Sequence, residues 1–495
     1  MFSTPPRAPV TQFEHQERAA RSILLLSCLA CILLADSLFA AFGLPQTPGR
    51  MAEPSAGLIA ALPLWSFVVS LPLPIPRQSN WLAITLLMSS AVKFAAYASA
   101  VYLVWNQPYS RGYLIVVVGA ALLFFVVAVL ALPNVNRDIY NYILSGRVAA
   151  IYGGNPYQTA PDQFPGDLFQ RYASARYTSY PGDNKLPMWM LLNIALAWLG
   201  GDKPAPTLLL YRVVFLLFNL ANLLLIARIL QTVQPRRMLA GLALYAWNPI
   251  VIAYGQSKVD TVMVFFLLLA ALALVQEKRQ LAVIALGASA LVKLITLPLI
   301  AVYWLYTLRA RGPRELTVIS FLLSLTAIAL YAPFWHGPEL LSMQLRLLGS
   351  VADPGPSLGR PLLYTGFMAG ILWVGLRSDG RAQNMLTGWA LVMVLFALLA
   401  TRLGFSWYLM TPIAVASLAA GRRFVPLVIV LSGVSFFVNA WDSASNEIMQ
   451  LPMLFPAPRF YLQLLFVSVC LLGVVVLEIG RRAQQRHAEY SIEQH

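Results

Sequence analysis

The segment from Arg137 to Tyr157, RDIYNYILSGRVAAIYGGNPY, carries the residue types that could do chemistry. Asp138 follows an apolar run that ends near Leu132, so its carboxylate stands at the mouth of a membrane helix. Tyr140, Tyr142 and Tyr157 come after it, with Arg147 and the turn residue Asn155 between them. Aromatic rings stack on sugar faces, and phenol hydroxyls bond sugar hydroxyls. A single carboxylate suits one task, taking the proton from an acceptor hydroxyl as it attacks a sugar carbon. Hydrolysis of a glycosidic bond would instead ask for a pair of carboxylates flanking that bond. Where a phosphate is the leaving group it departs as an anion, and the site needs cations rather than an acid. Arg346, Arg360, Arg402 and Lys185 are candidates for that role. The plain alternatives are a solvated acid, an aromatic belt at headgroup level and basic interfacial anchors.

A second polar group lies in QSKVD, where Gln256, Lys258 and Asp260 separate two apolar runs. Lys293 sits in LVKLITLPL, and His336 follows Pro333-Phe334-Trp335 at a helix end. Ionisable groups this close to membrane depth are functional candidates. Lys258 and Asp260 are near enough in sequence to pair with each other. Lys293 faces a carboxylate, a headgroup or a phosphate, and the alternative for His336 is a plain interfacial residue. The sequence has no HExxH, P-loop or GxGxxG, and no second cysteine pair or histidine cluster accompanies Cys28 and Cys31, so no motif argues for a metal or another cofactor.

The elements that must hold these residues are membrane helices. Of the 495 residues, 59% are hydrophobic and 11% charged, where a soluble domain carries about 25% charged residues. Apolar segments fall near 23–42, 58–75, 81–105, 113–132, 187–200, 207–230, 238–254, 259–275, 281–308, 315–335, 361–376, 384–400, 405–420, 424–441 and 460–480. These lengths predict an all-α polytopic transmembrane protein of about 13 to 15 spans. A barrel would show short alternating strands. The long 281–308 segment, with Lys293 and Pro298 near its middle, reads as one tilted helix or two broken halves. Asn141 to Tyr152 reads as a short interfacial helix, ended by Gly153-Gly154.

The chain divides into an N-terminal tail with extra helices (1–112), a module of 113–335 containing the loop 133–187, and C-terminal helices (336–495) with a loop at 336–360. The formal charge of +15 fits cytoplasmic anchors rather than nucleic-acid binding. The clusters Arg309-Arg311-Arg314, Arg377 with Arg381, Arg422-Arg423, and Arg481-Arg482-Arg486 share one side. The orientation of the N-terminal half stays open, because it turns on whether 281–308 crosses once or breaks. Cys28, Cys31 and Cys470 lie in apolar runs and read as small packing residues.

The residues Arg137-Asp138-Ile139-Tyr140-Asn141-Tyr142, Gly146-Arg147, Asn155-Pro156-Tyr157 and Tyr180-Pro181-Gly182 resemble the GT-C superfamily of integral-membrane glycosyltransferases. So do Trp247-Asn248-Pro249 with Lys258-Val259-Asp260, Leu291-Val292-Lys293-Leu294 with Pro298, Ala332-Pro333-Phe334, and Trp407-Tyr408 with Pro412. The nearest likeness is to bacterial polyprenyl-phosphate-mannose-dependent α-mannosyltransferases. The resemblance implies a first large loop outside the cytoplasm with short interfacial helices and Asp138 as general base. It implies an inverting transfer of a hexose, mannose favoured, from a polyprenyl phosphate to a hydroxyl of a glycan or glycolipid. It implies a bacterial plasma-membrane location with the site on the extracytoplasmic face, and no bound metal. Tyr140, Tyr142, Arg147, Asn155, Tyr157, Lys258, Asp260, Lys293, His336, Arg346 and Arg360 are then the expected substrate-binding residues. Two features depart from the family pattern: Pro181 is followed by Gly182, and Lys258 stands just before Asp260. A membrane transporter or lipid flippase is the competing class; it would show paired broken helices in two related halves.

Overall fold

The computed structural model describes residues 12–43, 79–105, 107, 109–130, 138–173, 178–181, 185–340, 359–400, 405–419 and 424–443. The described residues form helices joined by turns, as the apolar runs require. In chain order they are α1 (Gln12–Gly43), α2 (Ser79–Trp105), α3 (Arg111–Leu130), α4 (Asp138–Ala150), α5 (Pro187–Gly200) and α6 (Pro204–Val233). Then come α7 (Met238–Ala246), α8 (Pro249–Tyr254), α9 (Asp260–Val275), α10 (Arg279–Ala290), α11 (Leu297–Arg311) and α12 (Pro313–Tyr331). The last are α13 (Gly359–Arg377), α14 (Ala382–Leu395), α15 (Met410–Ala419) and α16 (Phe424–Ser443). Short 3-10 turns cover Leu294–Thr296, Ala332–Phe334 and Ser406–Leu409.

Among the described residues, 5 helices are long and apolar enough to cross a membrane. They lie at Leu87–Trp105, Arg111–Leu130, Pro204–Val233, Pro313–Phe334 and Ala382–Ala400. Shorter apolar helices such as Asp260–Val275 and Ser406–Ala419 pack inside them. The fold is the all-α polytopic membrane architecture that the hydrophobic pattern implies. On α12, Val318, Phe321, Leu325 and Ile328 are all exposed, three or four residues apart on one face. Such a stripe is a liability in water and the natural outer wall of a bundle in lipid.

The apolar run 281–308 is broken. α10 ends at Ala290, and α11 starts at Leu297 after a 3-10 turn, with Lys293 in extended backbone between them. A second break falls at Trp247-Asn248. There the Asn248 side chain accepts from Ile250 N (3.0 Å) and donates to Tyr97 Oη (3.0 Å) and Ser432 Oγ (3.2 Å). Pro249 opens α8, where its missing N–H costs nothing.

The helix expected over Asn141 to Tyr152 is present as α4, and it is enclosed on every side: all residues from Ile139 to Val148 are buried. Gly146 permits a close approach to α5, since a Cβ there would meet Asn193 O at 2.7 Å. The neighbouring Arg147 ties the loop down. It donates to Asp167 Oδ2 (2.7 Å), to Gly201 O (2.6 Å) and to Asp202 Oδ1 (2.8 Å), and it lies over the Phe169 ring. Gly153, at φ 68, then turns the chain out of the helix.

The Asp167 side chain is fully buried, so its charge depends on Arg147. Replacing Arg147 by Leu is expected to lower stability by about 3 to 5 kcal/mol, the cost of stranding a buried charge. Arg147→Lys should recover little, because an ammonium lacks the planar fork that reaches three acceptors. Thermal unfolding of the purified protein in one detergent checks both, and an unchanged midpoint for Arg147→Leu would contradict the assignment.

Candidate active site

Asp138 opens α4, and Lys258 ends the turn between α8 and α9. These two side chains, 120 residues apart, form an ion pair. Asp260 and Lys293 form a second pair, with Lys293 Nζ at 2.9 and 3.0 Å from the two carboxylate oxygens. Lys258 and Asp260 therefore do not pair with each other; each reaches across to another segment. Aromatic rings close the group. Lys258 Nζ lies 3.7 Å from the Trp407 ring centre, Lys293 Nζ 4.2 Å from that of Tyr408, and Lys185 Nζ 5.2 Å from that of Tyr142.

Backbone bonds hold the segments in place. Met188 N donates to Leu291 O (3.1 Å), which brings the Lys185 strand of chain against the Lys293 break. The QSKVD turn is fixed from below by a buried polar network. Asn219 Nδ2 donates to Gly255 O (2.9 Å), Thr261 Oγ1 donates to the same carbonyl (2.8 Å), and Asn222 Nδ2 donates to Thr261 O (3.2 Å). Tyr245 Oη joins Asn219 and Asn222. Buried networks of this kind rigidify what they support. Within the turn, both amide atoms of the buried Gln256 have no hydrogen-bond partner among the described residues.

Exposure differs within the group. The Lys258 and Asp260 side chains are each 1% exposed and that of Lys293 17%, whereas Asp138 retains 26%. Asp138 is thus the most open member of the group. Burial pushes its carboxyl up, but Lys258, Lys185 and Lys293 outweigh this and hold it below the usual carboxylate range. It is ionised at neutral pH and able to accept a proton.

The other expected residues are distributed as follows. Tyr140 and Tyr142 are buried; Tyr140 packs on Tyr172 and Tyr142 edge-on to Trp189. Tyr157 is buried against Phe334 and donates to Lys185 O (2.9 Å), so it braces the lysine segment. Asn155 accepts from Tyr157 N (3.0 Å), donates to Phe334 O (3.0 Å) and sits 3.3 Å from His336 Nδ1. That group joins the loop to the end of α12, apart from the lysine–aspartate pairs. The three donating nitrogens of Arg147 are committed to the loop tie. Arg346 lies outside the described residues, and Arg360 is placed only as part of α13.

Two charged groups escaped the sequence reading. Arg212, buried in α6, donates to Ala128 O at 2.5 Å near the end of α3. Lys93, buried in α2, stands 5.4 Å from the Phe436 ring centre. Each is an ionisable residue within an apolar run, which is the signal that could have found them.

A carboxylate poised for a proton, cations beside it and aromatic rings around it fit group transfer to a hydroxyl with an anionic leaving group. No curated protein and no solved structure matches the chain. The family model for alpha-(1->6)-mannopyranosyltransferase, N-terminal domain, matches residues 54–309. That span is more than half of the chain and contains Asp138, Lys258, Asp260 and Lys293, and the chain belongs to this mannosyltransferase family.

Proposed function

We propose that the protein is an inverting mannosyltransferase that uses a polyprenyl-phosphate donor and passes the sugar to a hydroxyl of a glycan or glycolipid. The observation that carries this reading is the partly open Asp138 carboxylate among Lys185, Lys258 and Lys293, with Trp407 and Tyr408 over two of those lysines. The acceptor oxygen attacks the anomeric carbon and its proton passes to Asp138. The bond from that carbon to the phosphate oxygen breaks on the opposite face, and the polyprenyl phosphate leaves with the electron pair. The lysines receive the growing negative charge on the phosphate.

In the resting state Lys258 is held by Asp138. An arriving donor phosphate competes for that ammonium, which loosens the pair just as the base is needed. The lipid tail stays in the bilayer, so no nucleotide fold is required.

Charge distribution supports a site on the extracytoplasmic face. α9, α11 and α15 all begin beside the lysine–aspartate pairs. At their far ends lie Lys278-Arg279, Arg309 with Arg311, and Ala419, which accepts from the Gln234 side chain just before Arg236-Arg237. Arginine and lysine accumulate on the cytoplasmic side of membrane proteins, so the opposite end faces outward. The break in 281–308 removes the obstacle to placing the basic turns of both halves together.

Incubation of the purified enzyme with synthetic polyprenyl-phosphate sugars, scoring which is consumed, tests the donor class. Consumption of a nucleotide sugar in preference to every lipid-linked one would overturn it. Asp138→Asn is expected to cut transfer by about 10²- to 10⁴-fold, the contribution of a positioned general base. Because that change alone strands Lys258, the double variant Asp138→Asn with Lys258→Gln is the control. It should fold at least as well as Asp138→Asn and be equally inactive; substantial turnover in either variant removes Asp138 from the base role.

The pH dependence follows from the lowered Asp138 carboxyl. The base is competent when deprotonated, so transfer should hold level from neutral pH downward and fall only below the usual carboxylate range. Any stability this carboxylate confers is present above its unfolded-state value and is lost as pH falls through the lower folded value. Lys258→Met removes the nearest cation and should move the acidic limb of kcat/KM to higher pH. A limb that stays in place would show that Asp138 does not set it.

A further inference from the structure

A cavity of about 680 Å³ opens at the far end of the bundle from Asp138. It lies between the end of α2, the turn into α3 and the turn from α6 to α7, and is lined by Trp105, Gln107, Tyr109, Gln231, Arg236 and Arg237, among others. α2 and α6 are both apolar enough to cross a membrane and both end here, so the cavity sits at headgroup level. Its chemistry is one-sided. Arg237 stacks on Trp105, with its guanidinium carbon 4.8 Å from the ring centre, and donates from Nη1 to Trp105 O (3.1 Å). That fixes the plane of the guanidinium and leaves its other N–H groups for a ligand. Arg236 is exposed and makes no ion pair or hydrogen bond among the described residues. Gln107 and Gln231 add amides, Tyr109 adds an exposed phenol, and among the described residues no carboxylate lines the cavity.

The geometry points to a second, non-catalytic binding site here for the phosphate headgroup of an anionic glycerophospholipid. A phosphate between paired guanidiniums makes charge-assisted bonds. The amides and phenol suit a glycerol or inositol headgroup, and the acyl chains continue along the lipid-facing sides of α2 and α6. An ordinary basic anchor needs neither a recess between three segments nor an arginine stacked on a ring, and this open-mouthed cavity has both. Its occupant would brace the α6–α7 turn that leads into the helix break before QSKVD.

Native mass spectrometry of the full chain released from nanodiscs tests the site. With equal phosphatidylglycerol and phosphatidylcholine, the wild type is expected to retain phosphatidylglycerol. Arg236→Gln with Arg237→Gln should lower that retention by about tenfold or more. Arg314→Gln with Arg381→Gln, exposed basic residues elsewhere on the protein, should leave it unchanged. Arg236→Gln alone keeps the test informative if the Arg237 stack is needed for folding, and it should reduce retention measurably. Equal loss in both double variants would reduce the effect to bulk charge, and equal retention of both lipids would remove the site. Displacement of the lipid by low-millimolar inorganic phosphate would assign the cavity to a free anion and overturn the lipid reading. Each readout is independent of sugar transfer.

Discussion

The structure depends on two crossed ion pairs. Asp138 joins Lys258, and Asp260 joins Lys293, so the start of α4, the QSKVD turn and the break between α10 and α11 share one place. Bringing these charges out of water costs several kcal/mol per ion, and each is tolerable only because its partner is there. The cost constrains geometry: a shift of any of the three segments would leave a buried charge alone. Neither pair is an efficient source of stability, since a well-packed apolar group could stand in many buried positions at no loss. Their presence in an otherwise greasy interior is better explained by what charges can do to a substrate.

Aromatic rings make that arrangement workable. Trp407 and Tyr408 present their faces to Lys258 and Lys293, an attraction worth about 2 kcal/mol when the cation is desolvated. The rings screen the lysines from water while leaving them attracted to an anion. A phosphate reaching them would meet cations whose field is little diluted by solvent. Asp138, with a quarter of its side chain open, is the most exposed of the four paired residues.

Much of this was legible in the sequence, and the remainder was hidden for identifiable reasons. Apolar run length revealed the all-α membrane architecture. Gly153-Gly154 and the polar stretch before it marked α4, which begins three residues earlier than expected, at Asp138. Lys293 and Pro298 left 281–308 open between one tilted helix and two halves, and the structure shows the two halves. Pairing partners were not legible. Lys258 and Asp260 look like a natural pair on paper, but residues two apart at a helix start point in different directions. Tyr140 and Tyr142 stood out because an aromatic field near an acid suggests a sugar. Their burial follows from α4 being covered by α5, α6 and the folded loop, a tertiary fact that a helix two tyrosines wide does not announce. Arg147 looked equally available until Asp167 and Asp202, distant in sequence, came to meet it.

The placement of the irregular backbone explains why the chemistry sits where it does. Within a bilayer, unpaired N–H and C=O groups are tolerated only where protein or a polar cavity satisfies them. The breaks at 255–259, 291–296 and 405–409 lie inside the apolar part of the chain, and each carries a member of the cluster: Lys258, Lys293, and Trp407 with Tyr408. A helix starts after each break, so the amino-terminal ends of α9, α11 and α15 are directed toward the same group of charges. Partial positive charge at helix amino termini adds to the lysines and favours an anion. A continuous helix through any of these positions would satisfy its own backbone more cheaply and would remove both the side chain and the dipole from the site. The discontinuities are therefore the means by which an apolar bundle gathers three lysines and three helix amino termini at one place while keeping Asp138 ionised beside them.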